Sequence, residues 1–471
     1  MDLQVNLAVS RPGRCCKGYV PNSSCTHYSR SSNCLRVDLV TLREQQFCES
    51  MHTRKVFDSR MKIAMIGLGY IGLPTALAFA ETGIEVTGVD NAPDKIESLI
   101  NGTSKSTEPG LLPMVQRNLE RSNLKLSTVV PTADVYIVAV PTPINPDKSI
   151  DISFLKTAIR DIAPSLKPGC LVIIESTISP GTTAKMGDVL QELRPDLTVD
   201  TGREKTPNEP VFLAHCPERI LPGHALEELK TNDRIIGGLS PRAGELAIEV
   251  YSRICDGDLV ETDALTAEMS KITENAFRDV NIAFANELSM ISESLGVDVW
   301  ELISLANRHP RVDILEPGTG VGGHCIAIDP WFLVEASPRD AKLIRTARLV
   351  NDSKPAWVAG KILQMLPTVD NPAIAIFGLT FKADIDDTRE SPSMKVIQDI
   401  LLRSSTAEIF VIDPFVIETP PELNSTRVQL LKDIEDHYVD VAAILVNHTA
   451  FKDLELSRNA AAILDLRPSS G

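Results

Sequence analysis

From Met61 onward, short apolar runs alternate with turn residues and amphipathic stretches. Lys62–Gly67 (KIAMIG) reads as a buried strand, Pro74–Glu81 as a helix closed by Gly83, and Glu85–Asp90 (EVTGVD) as a second strand. Further β-type runs stand at Val135–Val140, Leu171–Glu175, Val211–His215 and Arg234–Gly237, with helical patterns such as Ile152–Ala163 between most of them. Strands alternating with helices predict a parallel, doubly wound sheet.

The pattern changes at about 240–310. Leu265–Leu295 contains no Pro or Gly and carries apolar residues at helical spacing. A helix of that length spans about 45 Å, more than one small domain. It is expected either to join two domains while offering a face for dimerisation, or to be a long core helix. After Pro355 strand-like runs return at Ala373–Gly378, Ile409–Asp413, Val439–Val446 and Ala462–Leu466. The expected plan is an α/β domain over 61–245, a central helical domain over 246–354 and a smaller α/β domain over 355–471. Residues 1–60 do not share it: they are Arg- and Ser-rich, with no helical or alternating period. They are expected to be a disordered leader or the product of a start placed too far upstream.

Charge and cysteine usage narrow the function classes. The net charge is −16, and nine Lys and Arg against five Asp and Glu in the first sixty residues leave about −20 for the rest. Such a surface argues against nucleic acid or an anionic membrane as partner. No apolar run reaches the roughly 18–20 residues that a membrane span needs. The nine cysteines fit no zinc spacing, and five of them precede residue 61. No metal is expected, and the free thiols are those of a reducing cytosol.

Gly67-Leu68-Gly69-Tyr70-Ile71-Gly72 has the G-x-G-x-x-G spacing, directly after a strand and before a helix. The first glycine permits the tight turn, the second lets a pyrophosphate approach the backbone, and the third lets helix and strand pack closely. Asp90 ends the next strand, 18 residues after Gly72. A carboxylate there accepts bonds from ribose hydroxyls and repels a 2′-phosphate, so NAD is expected rather than NADP. Thr142, in Val140-Pro141-Thr142-Pro143, follows another strand on the edge where cofactor contacts collect.

The densest stretch is Gly318-Thr319-Gly320-Val321-Gly322-Gly323-His324-Cys325, followed by Ile326-Ala327-Ile328-Asp329-Pro330. Four glycines in six residues describe backbone held against a ligand or at positive φ. A cysteine after such a loop is presented to solvent, where a helix start or cations lower its pKa. Cysteine attacks aldehydes readily.

The ordered blocks GLGYIGLP (67–74), VPTP (140–143), EST (175–177), CPER (216–219), AEMSKITENAFRDVNIAFANE (267–287), GTGVGGHC (318–325) and FGLTFKADIDDTRESPS (377–393) resemble the UDP-glucose/GDP-mannose dehydrogenase family from Met61 to about Leu466. The resemblance implies two Rossmann-like doubly wound domains joined by a long dimerising helix, the second domain holding the nucleotide sugar. It implies two NAD-dependent oxidations at one site, through a cysteine thioester, with surface-polysaccharide precursors as products. Cys325 is then the nucleophile. Lys271 and Asn275 hold the attacking water and stabilise the oxyanion, although on spacing alone a Lys and an Asn at i, i+4 read as a solvated helix face. Asp329 polarises water or Lys271, and Glu218 serves thioester hydrolysis. Tyr70, Ile71, Thr177 and Arg389 lie on the cofactor side. Gly322 and Lys382 touch substrate, as does Arg311 across the dimer interface.

Where hexose-type relatives carry an aromatic and a lysine around the cysteine, this chain has Val321 and Ile328, and Ile144 stands where a threonine is common. The HCIAIDPWF wording resembles the 2-acetamido-sugar branch. UDP-N-acetyl-D-mannosamine is the expected substrate and UDP-N-acetyl-D-glucosamine the alternative. Two other classes fit parts of the pattern: a single-step 3-hydroxyacid-type dehydrogenase, which needs no cysteine, and a non-catalytic NAD-binding redox sensor with Cys325 as its sensing thiol.

Overall fold

The computed structural model describes residues 57, 61–104, 108, 110–203, 209–220, 223–323 and 325–468. Apart from Phe57, the expected leader over 1–60 lies outside the described residues, as does His324. Two doubly wound α/β domains are joined by a helix of 32 residues, Ala264–Leu295.

The first sheet has eight strands: β1 Lys62–Ile66, β2 Glu85–Val89, β3 Leu124–Ser127, β4 Val135–Val138, β5 Leu171–Ile174, β6 Phe212–His215, β7 Arg234–Gly238 and β8 Leu259–Asp263. Their order is β3-β2-β1-β4-β5-β6-β7-β8. The chain reverses direction across the sheet between β1 and β4, and this opens the crevice where ligands of such folds collect. Apolar side chains on both faces of these strands are buried in two clusters, one around Ile63, Met65 and Phe79, the other around Tyr136, Val172 and Leu213.

One pairing departs from the expected parallel sheet. β7 runs antiparallel to β6, with Ala214 opposite Gly238 and His215 opposite Gly237. The intervening helix, Ala225–Thr231, is only 7 residues long and does not carry the chain back across the sheet. β7 therefore sets off beyond the C-terminal end of β6, which places its first residue, Arg234, on the ligand-binding edge. β8 was not apparent in the sequence, and it extends the first sheet beyond the boundary expected at 245.

The second sheet is parallel, with β9 Ala373–Phe377, β10 Glu408–Ile412, β11 Val428–Leu431, β12 Val439–Ile444 and β13 Ala460–Asp465 in the order β11-β10-β9-β12-β13. It repeats the strand logic of the first. Gly378 follows β9 at φ +93°, as Gly67 follows β1 at φ +90°. Asp413 after β10 accepts from Leu379 N at 2.6 Å, as Asp90 after β2 accepts from Leu68 N at 3.0 Å.

The expected boundary at 354/355 falls inside a second long helix, Lys342–Met365, which contains Pro355. Proline has no N–H for the carbonyl four residues before it. That carbonyl, of Asn351, lies where the backbone of Gly320 packs, 3.2 Å from the position of a would-be Cβ. The interrupted ladder thus makes room for the cysteine-bearing loop.

Candidate active site

The glycine turn has the shape its spacing predicts. A Cβ on Gly67 would lie 2.4 Å from the Ala139 carbonyl oxygen, and one on Gly72 would lie 1.9 Å from that of Gly67. Gly69 differs: no heavy atom lies within 4 Å of its missing Cβ. Open space over a bare backbone, at the start of the helix Gly72–Glu81, is what an approaching pyrophosphate requires. Ile71 is the N-cap and supplies no side-chain cap. Tyr70 is exposed and donates its hydroxyl to the Ile220 carbonyl at 2.8 Å.

Asp90 faces this turn. Its carboxylate accepts from Lys95 Nζ at 2.8 Å, Leu68 N at 3.0 Å and Ala92 N at 3.2 Å. Burial works to raise its pKa, but these donors outweigh it and hold the carboxyl below the ordinary range. Lys95 was not anticipated, and it forms an ion pair where a ribose would bind. Thr142 is buried and donates to the Thr177 carbonyl at 2.6 Å, so the two residues form one wall. These residues fit NAD.

The candidate reacting groups lie beside this crevice, where Cys325 and Glu218 both act on Tyr70 of the glycine turn. Lys271 Nζ donates to the Glu218 backbone carbonyl at 2.6 Å, and Asn275 Nδ2 donates to Asp329 Oδ2 at 2.6 Å. The Cys325 carbonyl accepts from Ile328 N at 3.1 Å and Asp329 N at 2.8 Å, and this turn leads into the helix Asp329–Ala336. A carboxylate in a first helical turn is favoured by the helix dipole. Cys325 is exposed, as expected. Its pKa is not lowered, however. Crowding by the surrounding protein, and then the Asp329 carboxylate, push the thiol up, while Lys271 and Arg389 oppose them. The expected activation is outweighed first by this desolvation of the thiolate and then by the acid four residues away.

The loop before Cys325 is fixed from several sides. Gly318 N donates to Asn286 Oδ1 of the central helix at 2.9 Å, and Thr319 Oγ1 to the Leu445 carbonyl of the second α/β domain at 2.8 Å. Cβ atoms on Gly322 and Gly323 would each lie 2.7 Å from Phe381. The glycines therefore serve packing as well as any ligand.

Lys382 and Arg389 are exposed on the loop after β9, and Arg389 pairs with Asp387 at 2.6 Å. The charge of Arg389 reaches both Cys325 and Tyr70. Arg311 is exposed, and its backbone N–H donates to His309 Nδ1; the structure does not bring it together with the other candidate residues among those described. The Glu218 carboxylate points inward, 2.6 Å from the buried Arg234 guanidinium, while its Oε1 accepts from Arg219 N at 2.8 Å. Arg234, Glu175 and Tyr251 form a buried cluster here that sequence reading missed. The available signal was a charged residue at an end of each of two otherwise apolar strands.

Three family models cover the body of the chain. The NAD binding domain of the UDP-glucose/GDP-mannose dehydrogenase family matches residues 61–255, its central domain 265–353 and its UDP binding domain 375–469. The chain belongs to this family. The NDP-N-acetyl-D-galactosaminuronic acid dehydrogenase of Ralstonia nicotianae is 46% identical over 406 residues, covering 86% of this chain and 95% of that protein. The UDP-N-acetyl-D-mannosamine dehydrogenase of Escherichia coli is 47% identical over 398 residues, covering 83% and 94%. Among solved structures, a UDP-N-acetyl-mannosamine dehydrogenase from Staphylococcus aureus superposes with a TM-score of 0.75 at 41% identity, covering 86% of this chain and 94% of that one. This family member is an NAD-dependent nucleotide-sugar dehydrogenase.

The two glycines make separable predictions. Gly69→Ala should leave the thermal midpoint unchanged and weaken NAD binding at least about tenfold, because the new methyl occupies the approach to the backbone. Gly72→Ala should lower the midpoint as well, since its Cβ meets backbone. Calorimetric titration and thermal unfolding of both variants test this; unchanged NAD affinity in Gly69→Ala would contradict the assignment.

Proposed function

We propose that the chain oxidises the C6 alcohol of UDP-N-acetyl-D-mannosamine to the carboxylate, giving UDP-N-acetyl-D-mannosaminuronate by way of a thioester on Cys325. The observation that carries this reading is the convergence of Lys271, the Asn275–Asp329 pair and an exposed cysteine beside the glycine turn. Two NAD molecules, bound in succession, would each take one hydride, one for each oxidation. Lys271 and Asn275 stabilise charge on the C6 oxygen as it develops. The Cys325 thiolate adds to the C6 aldehyde, and oxidation of the resulting thiohemiacetal leaves an acyl group on sulfur. Water then cleaves the thioester, releasing the acid and restoring the thiol. Glu218 is read as serving this last step, Thr177 and Arg389 as cofactor contacts, and Gly322 and Lys382 as substrate contacts.

Two lines support a 2-acetamido sugar. Ile144 and Ile328, where the chain departs from the hexose-type wording, line one cavity of about 240 Å³ together with Ala327 and Trp331. Asn145, Lys148, Asp352, Glu390 and Lys395 also line it, and such a mixed wall suits the methyl and the amide of an acetamido group. The Ralstonia and Escherichia coli relatives are both named for 2-acetamido sugars. The Ralstonia name also supports a second reading, the galacto-configured substrate.

The central helix supports a homodimer. Phe277, Phe284 and Ile291 recur every seven residues and are 68%, 50% and 48% exposed. A stripe of that kind on a helix of 32 residues fits a second copy of itself. The paired arrangement gives Arg311 a place to act, in the neighbouring subunit's site. Among the described residues no helix is long and apolar enough to cross a membrane, and Cys170, Cys216, Cys255 and Cys325 are free thiols. Both observations are compatible with the cytosolic location that we infer, where the product would feed surface-polysaccharide synthesis.

The sugar and the chemistry are tested by counting NADH formed per nucleotide sugar consumed, across UDP-N-acetylmannosamine, its galacto and gluco isomers, and UDP-glucose. UDP-N-acetylmannosamine should give two NADH and the highest kcat/KM by about tenfold or more. One NADH per sugar would remove the thioester, and fastest turnover of UDP-glucose would remove the acetamido reading. For the assembly, Phe277→Asp with Phe284→Asp should sediment as a monomer while the parent sediments as a dimer; a monomeric parent would contradict it.

A further inference from the structure

Several buried ionisable groups beside the reacting cluster have no role in the chemistry described so far. The Arg234 guanidinium is 3% exposed, with Nη2 lying 2.6 Å from Glu218 Oε2 and Nη1 3.7 Å from Glu175 Oε1. Nη1 also donates to Cys216 Sγ, and the group lies over the Tyr251 ring, 4.6 Å from its centre. Tyr251 in turn donates its hydroxyl to Glu175 Oε1 at 2.6 Å. One cation thus serves two carboxylates in a place that water does not reach.

The turn Cys216-Pro217-Glu218-Arg219 is gripped at both ends of this arrangement. Cys216 and Glu218 face inward to Arg234, while Arg219 pairs with Glu274 of the central helix at 2.9 Å. With its side chain drawn inward, residue 218 presents its backbone carbonyl to Lys271 Nζ. Lys271 takes its place from that carbonyl.

We propose that Arg234 is a positioning residue: by holding the Glu218 carboxylate it fixes the carbonyl that seats the Lys271 ammonium near Cys325, and Glu175 with Tyr251 forms a proton-bearing branch that sets how firmly Arg234 holds Glu218. The inference rests on the reading of Lys271 and Cys325 as reacting groups, and extends it to three residues with no assigned role.

Charge balance explains the branch. Two ionised carboxylates on one buried guanidinium leave an uncompensated charge, which is costly in a low dielectric. A proton on one of them removes it. Burial pushes the Glu175 carboxyl up to about 7, with Arg234 opposing and the Glu218 charge adding to the rise. The other titratable groups facing it stay neutral there, because burial pushes the Cys216 thiol up to about 12 and the Tyr251 phenol well above its usual range. Above neutrality, ionised Glu175 competes with Glu218 for Arg234.

The test needs no sugar, so it separates this inference from the catalytic reading. The rate at which iodoacetamide alkylates Cys325 is followed by mass spectrometry of its peptide, in the full chain. The Lys271 charge favours the thiolate, so displacing it slows alkylation. Arg234→Lys and Lys271→Met should each slow the reaction about 3- to 10-fold near neutral pH, and the double variant should be no slower than the slower single. Additive losses, or a parent-like rate in Arg234→Lys, would overturn the proposal. Glu175→Gln keeps it testable should Arg234→Lys fold poorly. Its rate relative to the parent should rise at least about twofold between about pH 6 and pH 8, as the parent's Glu175 ionises. A flat ratio would count against the branch, and parent-like turnover of nucleotide sugar by Lys271→Met would fault the catalytic reading alone.

Discussion

The architecture depends on one helix whose inner face is polar. Along Ala264–Leu295, Glu268, Lys271, Asn275, Asp279 and Asn286 fall on one side at helical spacing, interleaved with small Ala267, Ala276 and Ala283. A buried polar group must find a partner, and each of these finds a different piece of the molecule. Glu268 accepts from Gly181 N and Thr183 N, closing the start of the helix Thr182–Leu193. Lys271 takes the Glu218 carbonyl and Asn275 takes Asp329. Asp279 binds the buried Arg348 and Asn351 of the second long helix, and Asn286 binds Gly318 at the root of the cysteine loop. Alanines let these partners approach closely: a Cβ on Gly237 would lie 2.5 Å from that of Ala267. One rigid element therefore sets the relative placement of the cofactor crevice, the thiol and the second α/β domain.

The same inversion explains what the sequence could and could not convey. Strands β1, β4, β5, β9, β10 and β12 were legible because both faces are buried and their apolar runs are nearly unbroken, and β2, with its mixed EVTGV, because it leads to Asp90 after the glycine turn and its helix. The glycine turn was legible because each glycine answers a steric demand. Lys271 and Asn275 were not legible from spacing, since a polar row on a helix ordinarily faces water; here the outer face carries Phe277 and Phe284 instead. The dinucleotide turn needs only local geometry, whereas the polar row acquires meaning from partners 32 to 87 residues away. Pro355 stands just past the end of the central family domain at 353, yet it ends no helix, because a loop from elsewhere packs against the carbonyl it leaves free.

The direction of β7 lies furthest from any local signal. Only the tertiary path after β6 makes that strand antiparallel, and only that reversal carries Arg234 to the edge where Glu218 and Lys271 stand. The two sheets also diverge in use despite a shared plan. Asp90 keeps a partly exposed lysine as its partner, whereas Asp413 is closed off by Leu379 N, Phe415 N and the buried His448. The second glycine–aspartate pair is spent on holding its own loop, and the first remains open to a dinucleotide.

The central claim is that the carbon being oxidised becomes covalently bound to Cys325. Peptide mass spectrometry of the Glu218→Gln variant, quenched in acid during turnover with NAD and UDP-N-acetylmannosamine, measures this directly. The account predicts an acyl nucleotide sugar on the Cys325 peptide, because the amide of this variant still accepts from Arg234 and keeps Lys271 seated for acylation, while hydrolysis loses its carboxylate. NADH formation continuing with no adduct on that peptide, together with acid product from Cys325→Ser, would contradict it.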